Sequence, residues 1–171
     1  MTGMADDRDE ISSLDFPCGA FPAHGEFRVR FQDGLFRWTN RGPFNAEALQ
    51  QFDQARKAAF ARWCRMQEPV AAVVEWRESA LMSQDAFDLY RQGLERFLAS
   101  PHQLRAVAWV APQELEGMRF MRQRFIDLFE HHQLPLQLFE SLAEALTWVA
   151  AMQRGKHSPS ASSGQAGRTN A

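Results

Sequence analysis

The polar residues best placed for chemistry follow the predicted parallel strands. Four segments, 41–45, 75–83, 111–116 and 140–141, come directly after such strands. In an open α/β sheet, ligands bind outside the carboxyl ends of the strands, where these loops meet. Helix N-termini point to the same edge and can hold an anion through their free N–H groups. The segments contribute Arg41, Asn45, Glu75, Arg77, Glu78, Ser79, Gln113, Glu114 and Ser141, which we call the strand-end rim.

The rim residues have two possible interpretations. The rim is a binding site, or its members are the helix caps and surface ion pairs that any such fold carries in its loops. Glu75 ends a buried strand, where desolvation would raise its pKa. An enzyme would need Glu75 as its catalytic base and Arg77 to orient an anionic substrate, and the sequence offers no other candidate base. The chain has no phosphate-binding glycine loop and no nucleophile-elbow motif, so we expect no enzyme activity and no catalytic residue.

A second group of cations lies on one face of the predicted hairpin. Strand alternation places Arg28, Arg30 and Arg37, with Arg41, on its outer face. Guanidinium groups bind carboxylates in a bidentate manner, so this face could dock an acidic partner. The alternative is a charged sheet face that contacts only water.

The histidines and cysteines of the sequence do not have the spacing of a metal site or a redox site. His131-His132 is the only histidine pair, and the end of a helix favours imidazoles there without a metal. Cys18 and Cys64 have neither the spacing of a zinc site nor that of a disulfide framework. We therefore expect no metal, no cofactor and a reducing compartment.

A hairpin opens the predicted fold. Apolar and charged residues alternate from 26 to 31, the period of a half-buried strand. Asp33-Gly34 is a strong two-residue turn signal because both positions tolerate positive φ. Residues 35–41 alternate again and form the second strand of the hairpin.

Strands and helices then alternate along the chain. Gly42-Pro43 ends the hairpin, and Asn45 caps a helix over about 46–65. Ser83 caps a second helix that Pro101 ends, a third runs over about 115–131, and Ser141 with Glu144 opens the last. Apolar runs at 70–76, 106–110 and 136–139 suit parallel strands. The expected fold is α/β, with a single mostly parallel sheet, an antiparallel N-terminal hairpin strand and the order β-β-α-β-α-β-α-β-α.

Length and composition predict one domain between two tails. We expect a flexible leader at 1–24, an α/β domain at 25–152 and a disordered low-complexity tail at 153–171. The net charge of −2 argues against nucleic-acid binding. The polar N-terminus has no signal-peptide pattern and no apolar run is long enough to span a membrane, so a cytoplasmic location is expected.

Three features resemble the STAS-like domains, specifically the SpoIIAA-like group of small bacterial proteins. They are the Gly-Pro-Phe-Asn-Ala-Glu stretch at 42–47, the order of the elements, and the ending at 138–148. Such domains generally act as non-enzymatic interaction or sensing modules. Some carry a phosphorylatable Ser or Thr after the third strand, in an Asp-Ser/Thr-Ser/Thr-Gly stretch. Residues 75–83 lack that hydroxyl pair and offer only Ser79 and Ser83 nearby.

Two functions follow as expectations. The first is a regulatory protein-interaction module of STAS-like type with an unidentified protein partner. The second is a carrier of a small or lipid-like ligand, because the interior is rich in aromatic residues and helix N-termini gather at one edge.

Overall fold

A single sheet organises the chain. The structure is a computed structural model that describes residues 9–64 and 68–154. Within these residues it is α/β, with six strands and four α-helices. The elements are β1 (Glu10–Ser12), β2 (Glu26–Gln32), β3 (Leu35–Arg41), α1 (Ala46–Trp63), β4 (Pro69–Arg77), α2 (Gln84–Leu98), β5 (Gln103–Val110), α3 (Met118–His131), β6 (Leu136–Phe139) and α4 (Leu142–Arg154). The strands lie side by side in the order β1-β2-β3-β4-β5-β6.

The sheet changes from antiparallel to parallel at β3. The first three strands pair antiparallel, and β3, β4, β5 and β6 pair parallel. The β2–β3 turn has positive φ at Asp33 (54°) and Gly34 (75°), the conformation that the Asp-Gly signal predicted. The predicted hairpin and the mostly parallel sheet are therefore confirmed.

The two faces of the sheet are covered differently. One face packs against α1, α2 and α3 and holds the main core, which includes Phe27, Phe36 and Trp109. On the other face α4 packs across β4, β5 and β6, with Ala145 and Val149 as its buried residues. No described helix packs across the other half of that face, which β1, β2 and β3 form. We call this half the open face.

The first strand was not predicted. β1 and the 3₁₀ turn after it (Ser13–Asp15) lie inside the segment 1–24, for which the sequence indicated no regular structure. Three residues are too few to show a period, and β1 is positioned by contacts distant in sequence. Ile11 pairs with Val29. The buried Ser13 hydroxyl accepts a hydrogen bond from the Phe27 amide at 3.0 Å.

Helix ends differ from the sequence predictions by up to three residues. The third helix begins at Met118 instead of 115, because Leu115 is in a turn to Pro112 and Gly117 has a φ of 75°. The last helix continues to Arg154, and the predicted tail beyond it lies outside the described residues. No helix in the described part of the chain is long and apolar enough to span a membrane.

Candidate functional site

The loops after β3 and β4 are joined backbone to backbone. Gly42 donates to the Ser79 carbonyl at 3.1 Å, and Phe44 donates to the Leu81 carbonyl at 2.8 Å. Ala80 donates in turn to the carbonyl of Glu116. The packing is so close that a Cβ on Gly42 would lie 2.3 Å from the Ser79 oxygen. This part of the strand-end rim is filled by the protein's own backbone.

Two predicted rim residues have structural roles. Asn45 caps α1 by accepting from Ala48 at 3.2 Å, and its side chain also bonds the chain at Pro22 and His24. Ser79 is 1% exposed, and its hydroxyl accepts from the Leu81 amide at 3.2 Å. For these two residues the structure supports the capping interpretation of the rim.

The remaining rim residues fall into two groups. At the ends of β3 and β4, Arg41 pairs with Glu78 at 3.2 Å and Arg77 with Glu75 at 2.8 Å. Glu75 also lies 3.6 Å from Arg37, so this group is continuous with the open face.

The second rim group lies at the ends of β5 and β6. Gln113 donates a hydrogen bond to Glu140 there. Both residues, with Glu114, line an open cleft of about 620 Å³ that Arg119 and Arg122 also line. In the described chain no side-chain hydrogen bond or ion pair connects the two groups.

The predicted arginine face exists, and most of its charges are paired. Arg28 contacts Glu26 at 2.6 Å and Glu10 at 3.2 Å. Arg30 stands directly opposite Arg37 in the β2–β3 register. Over residues 9–64 and 68–154, no ion pair within 4.0 Å involves Arg30. Like charges directly opposite each other destabilise a strand pair.

A small cavity lies on the other side of the sheet, between β3–β5 and helices α1, α2 and α3. Its volume is about 60 Å³. Aromatic rings from the strands and from all three helices on that side surround it: Trp38, Trp76, Trp109, Phe52, Phe60, Tyr90, Phe97 and Phe129. We call it the central cavity. None of its lining residues belongs to the predicted strand-end rim or to the predicted arginine face.

Within residues 9–64 and 68–154, three polar atoms on residues that line the central cavity have no hydrogen-bond partner. They are Asn40 Oδ1, Arg56 Nε and Trp76 Nε1. The three residues are only 5%, 8% and 2% exposed. Buried polar atoms are nearly always hydrogen-bonded, and leaving one unsatisfied costs about 1 to 3 kcal/mol. A polar guest in the cavity would remove that cost.

Arg56 is held in place from several sides. Its guanidinium lies 5.4 Å from the Phe52 ring centre and 5.2 Å from that of Phe97. Nη2 contacts Asp53 at 2.5 Å and donates to the Gly93 carbonyl at 2.7 Å. Burial lowers the pKa of Arg56, and the charge of Asp53 opposes that shift. The guanidinium stays protonated, as arginine does throughout proteins.

The surroundings of Arg56 carry excess positive charge. Asp53 is the carboxylate partner of three cations: Arg56, Lys57 at 2.7 Å and Arg96 at 3.6 Å. The buried Tyr90 lines the same cavity, and burial raises the pKa of its hydroxyl. The phenol is therefore neutral, and it does not offset the arginine.

In the sequence, Asn40 and Arg56 are polar residues at positions with the period of apolar ones, and they were not predicted as site residues. Arg56 lies four residues after Phe52 and four before Phe60, on the apolar stripe of α1. Asn40 has the inward parity of Phe36 and Trp38 on β3. A polar residue at a core position is the informative exception in an apolar pattern.

Neither a metal site nor a similar protein helps to assign a function to these residues. Among the described residues, no three His, Cys, Asp or Glu side chains converge as a metal site would require. Comparison of the chain with protein-family models, with curated proteins and with solved structures finds no match in any of the three.

Proposed function

We propose that the chain is a non-enzymatic interaction module of STAS-like type that docks an acidic segment of a protein partner on its open face. The observation that supports this most directly is the arrangement of Arg30 and Arg37. Arg30 and Arg37 are register partners across β2 and β3, on a sheet face that no described helix covers. Arg37 lies 3.6 Å from Glu75, and within the described residues Arg30 has no ion pair. A carboxylate from a partner could bridge them with bidentate hydrogen bonds.

The charge of the open face agrees with an acidic partner. Four guanidinium groups belong to it, on Arg28, Arg30, Arg37 and Arg41, and Arg77 at the end of β4 adjoins it. Its carboxylates are those of Glu10 and Glu26, and Glu75 on β4 and Glu78 in the loop after it adjoin the face. Counted with these neighbours, five positive and four negative charges leave an excess of one, and among the described residues Arg30 has no ion pair.

Affinity capture with charge-reversed variants tests the proposal. Tagged wild type, Arg30→Glu and Arg122→Glu are used to capture proteins from an extract of the native cells. Arg122 is exposed on α3, on the other side of the sheet, so it gives a control with the same charge change. We expect a partner that wild type and Arg122→Glu capture and Arg30→Glu loses.

Other results would count against this function. A partner that all three proteins capture equally would refute the open face as the docking site. Loss only in Arg122→Glu would place docking near the cleft at the ends of β5 and β6. Failure to capture any partner, with well-folded protein, would contradict the interaction module itself.

A ligand carrier is the second candidate function, and the central cavity favours it. Within the described residues, three side chains that each have a polar atom without a partner and eight aromatic rings line one space. Ligand sites combine an apolar lining with a few placed polar groups in this way. Native mass spectrometry of protein purified from its own cells tests the idea, because a carrier would retain added mass and clean apo protein would speak against it.

A further inference from the structure

We propose that the central cavity is a binding site for a short-chain carboxylate of about the size of acetate. The inference rests on the second candidate function and names its ligand class. It does not depend on a protein partner, so it can hold or fail independently of docking on the open face.

The size of the cavity limits the ligand. Its volume of about 60 Å³ is several times the roughly 10 to 15 Å³ that a cavity needs to hold one water molecule. An engineered cavity that admits benzene measures about 150 Å³. A guest therefore has only a few non-hydrogen atoms, and a carboxylate with a methyl or ethyl group meets that limit.

The polar atoms determine the chemistry of the guest. Arg56 Nε and Trp76 Nε1 are hydrogen-bond donors without acceptors. A carboxylate has two acceptor oxygens, so one can accept from each donor. The amide of Asn40 can turn by 180° and present its NH₂ group as a third donor. Hydrogen bonds to a charged acceptor are the stronger kind.

Charge favours an anion over a neutral guest. Arg56 shares Asp53 with Lys57 and Arg96, so one carboxylate faces three cations. A second carboxylate beside Arg56 reduces that excess. The rings lining the cavity offer an apolar surface to the alkyl group, and a guest that displaces water from it would have a stronger charge interaction with Arg56.

A ¹H–¹⁵N NMR titration with sodium acetate reports directly on the site. Sodium chloride holds the ionic strength constant. We expect a saturable shift of the Trp76 indole N–H signal, because that group becomes a donor to a carboxylate. Trp148 packs on Phe139 on the opposite side of the sheet, so its indole signal is an internal control. Acetamide, which has a similar size and no charge, serves as the matched probe.

Two variants test the two halves of the argument. Arg56→Met removes a donor and its charge, and we expect acetate binding at least about tenfold weaker. Ala72→Val fills the cavity from β4 and leaves every polar group in place. It should abolish the shift of the Trp76 signal. It also provides the decisive comparison if Arg56→Met does not fold.

The results separate the possibilities clearly. A shift of the Trp76 signal without a shift of the Trp148 signal, lost in Ala72→Val and weaker with acetamide, supports the carboxylate site. No saturable shift would mean that the cavity holds only water and would overturn the proposal. Equal affinity for acetamide would overturn the assignment to carboxylates. Binding of benzoate as strong as that of acetate would contradict the size argument.

Discussion

Arg56 on α1 donates a hydrogen bond from Nη2 to the main-chain carbonyl of Gly93 on α2, at 2.7 Å. The contact fixes the two helices where they approach each other. A Cβ on residue 93 would lie 3.1 Å from that same Nη2 and 3.4 Å from Asp53 Oδ1. The glycine therefore makes room for a buried charge, although glycine inside a helix costs about 1 kcal/mol relative to alanine.

Substitution of this glycine should have an effect that depends on Arg56. We expect Gly93→Ala to lower the free energy of unfolding by about 1 kcal/mol, because two rings and Asp53 prevent the guanidinium from moving away. In an Arg56→Leu background the same change should stabilise by about 0.5 to 1 kcal/mol through helix propensity. Urea unfolding of the four proteins gives the coupling energy. Equal effects in both backgrounds would show that the guanidinium does not cause the conflict.

The carboxylate of Asp53 should make stability depend on pH in the acid range. Burial by itself would raise its pKa, but the hydrogen bond from Lys57 and the charge of Arg56 outweigh burial and hold the pKa below the usual 3.8. A depressed pKa in the folded state contributes stability that is present above pH 3.8 and is lost as pH falls through the folded value. Asp53→Asn should therefore flatten the dependence of unfolding free energy on pH below that point.

The size of the Asp53 effect has a matched control. At neutral pH we expect Asp53→Asn to cost about 3 kcal/mol, because it leaves Arg56 without its buried partner. Asp88→Asn removes an exposed partner of Arg91, 4.0 Å away, and should cost less than about 0.5 kcal/mol. Thermal unfolding at several pH values measures both. Similar losses in the two variants would mean that burial adds nothing to the Asp53 interaction.

Two glycines with the same φ allow the cost of backbone strain to be distinguished from the cost of a steric clash. Gly34 and Gly117 both have a φ of 75°. A Cβ on Gly34 meets nothing within 4 Å, and one on Gly117 would lie 2.4 Å from Leu81 Cγ. We expect Gly34→Ala to cost about 1 kcal/mol from the left-handed conformation alone. Gly117→Ala should cost at least about 2 kcal/mol more, measured by chemical unfolding. Equal costs would show that Leu81 adjusts without penalty.

The thiol of Cys64 should be slow to react. Burial, and next the charge of Glu68, raise its pKa to about 11. Only about a thousandth of the thiol is ionised at pH 8, and the thiolate is the reactive form. In a Cys18→Ser variant, alkylation of Cys64 by iodoacetamide should accelerate about tenfold per pH unit between pH 8 and 10. A rate that levels off below pH 9 would contradict the raised pKa.

The fold was more predictable than the site because its signals are local. The hairpin from 26 to 41 has a period of two and an Asp-Gly turn, and both signals lie within sixteen residues. β1 has no such signal, since its three residues become a strand only against Val29 and its neighbours. The rim prediction placed polar residues correctly at strand ends. It could not show that Gly42 and Ser79 would close the space between them.

The central cavity could not be predicted, because it depends on distances between elements that the sequence pattern does not contain. Asn40 and Arg56 belong to different elements, and their partnerless atoms have meaning only once both line one space. The sequence does contain a weaker indication, a polar residue on an apolar stripe. That pattern identifies a buried polar group without telling whether a partner satisfies it.

The order of strands in the sheet determines how the sheet can assemble while the chain is being synthesised. Every strand lies beside its neighbours in sequence, so the sheet can grow at one border only, strand after strand, as synthesis proceeds. At each stage the newest strand is the unprotected border. While β4 (VAAVVEW at 70–76) is the edge strand, its unpaired backbone groups and apolar side chains can pair with other nascent chains until β5 is added. Truncations that end after α2 should aggregate for this reason, whereas the complete sheet ends at the short strand β6.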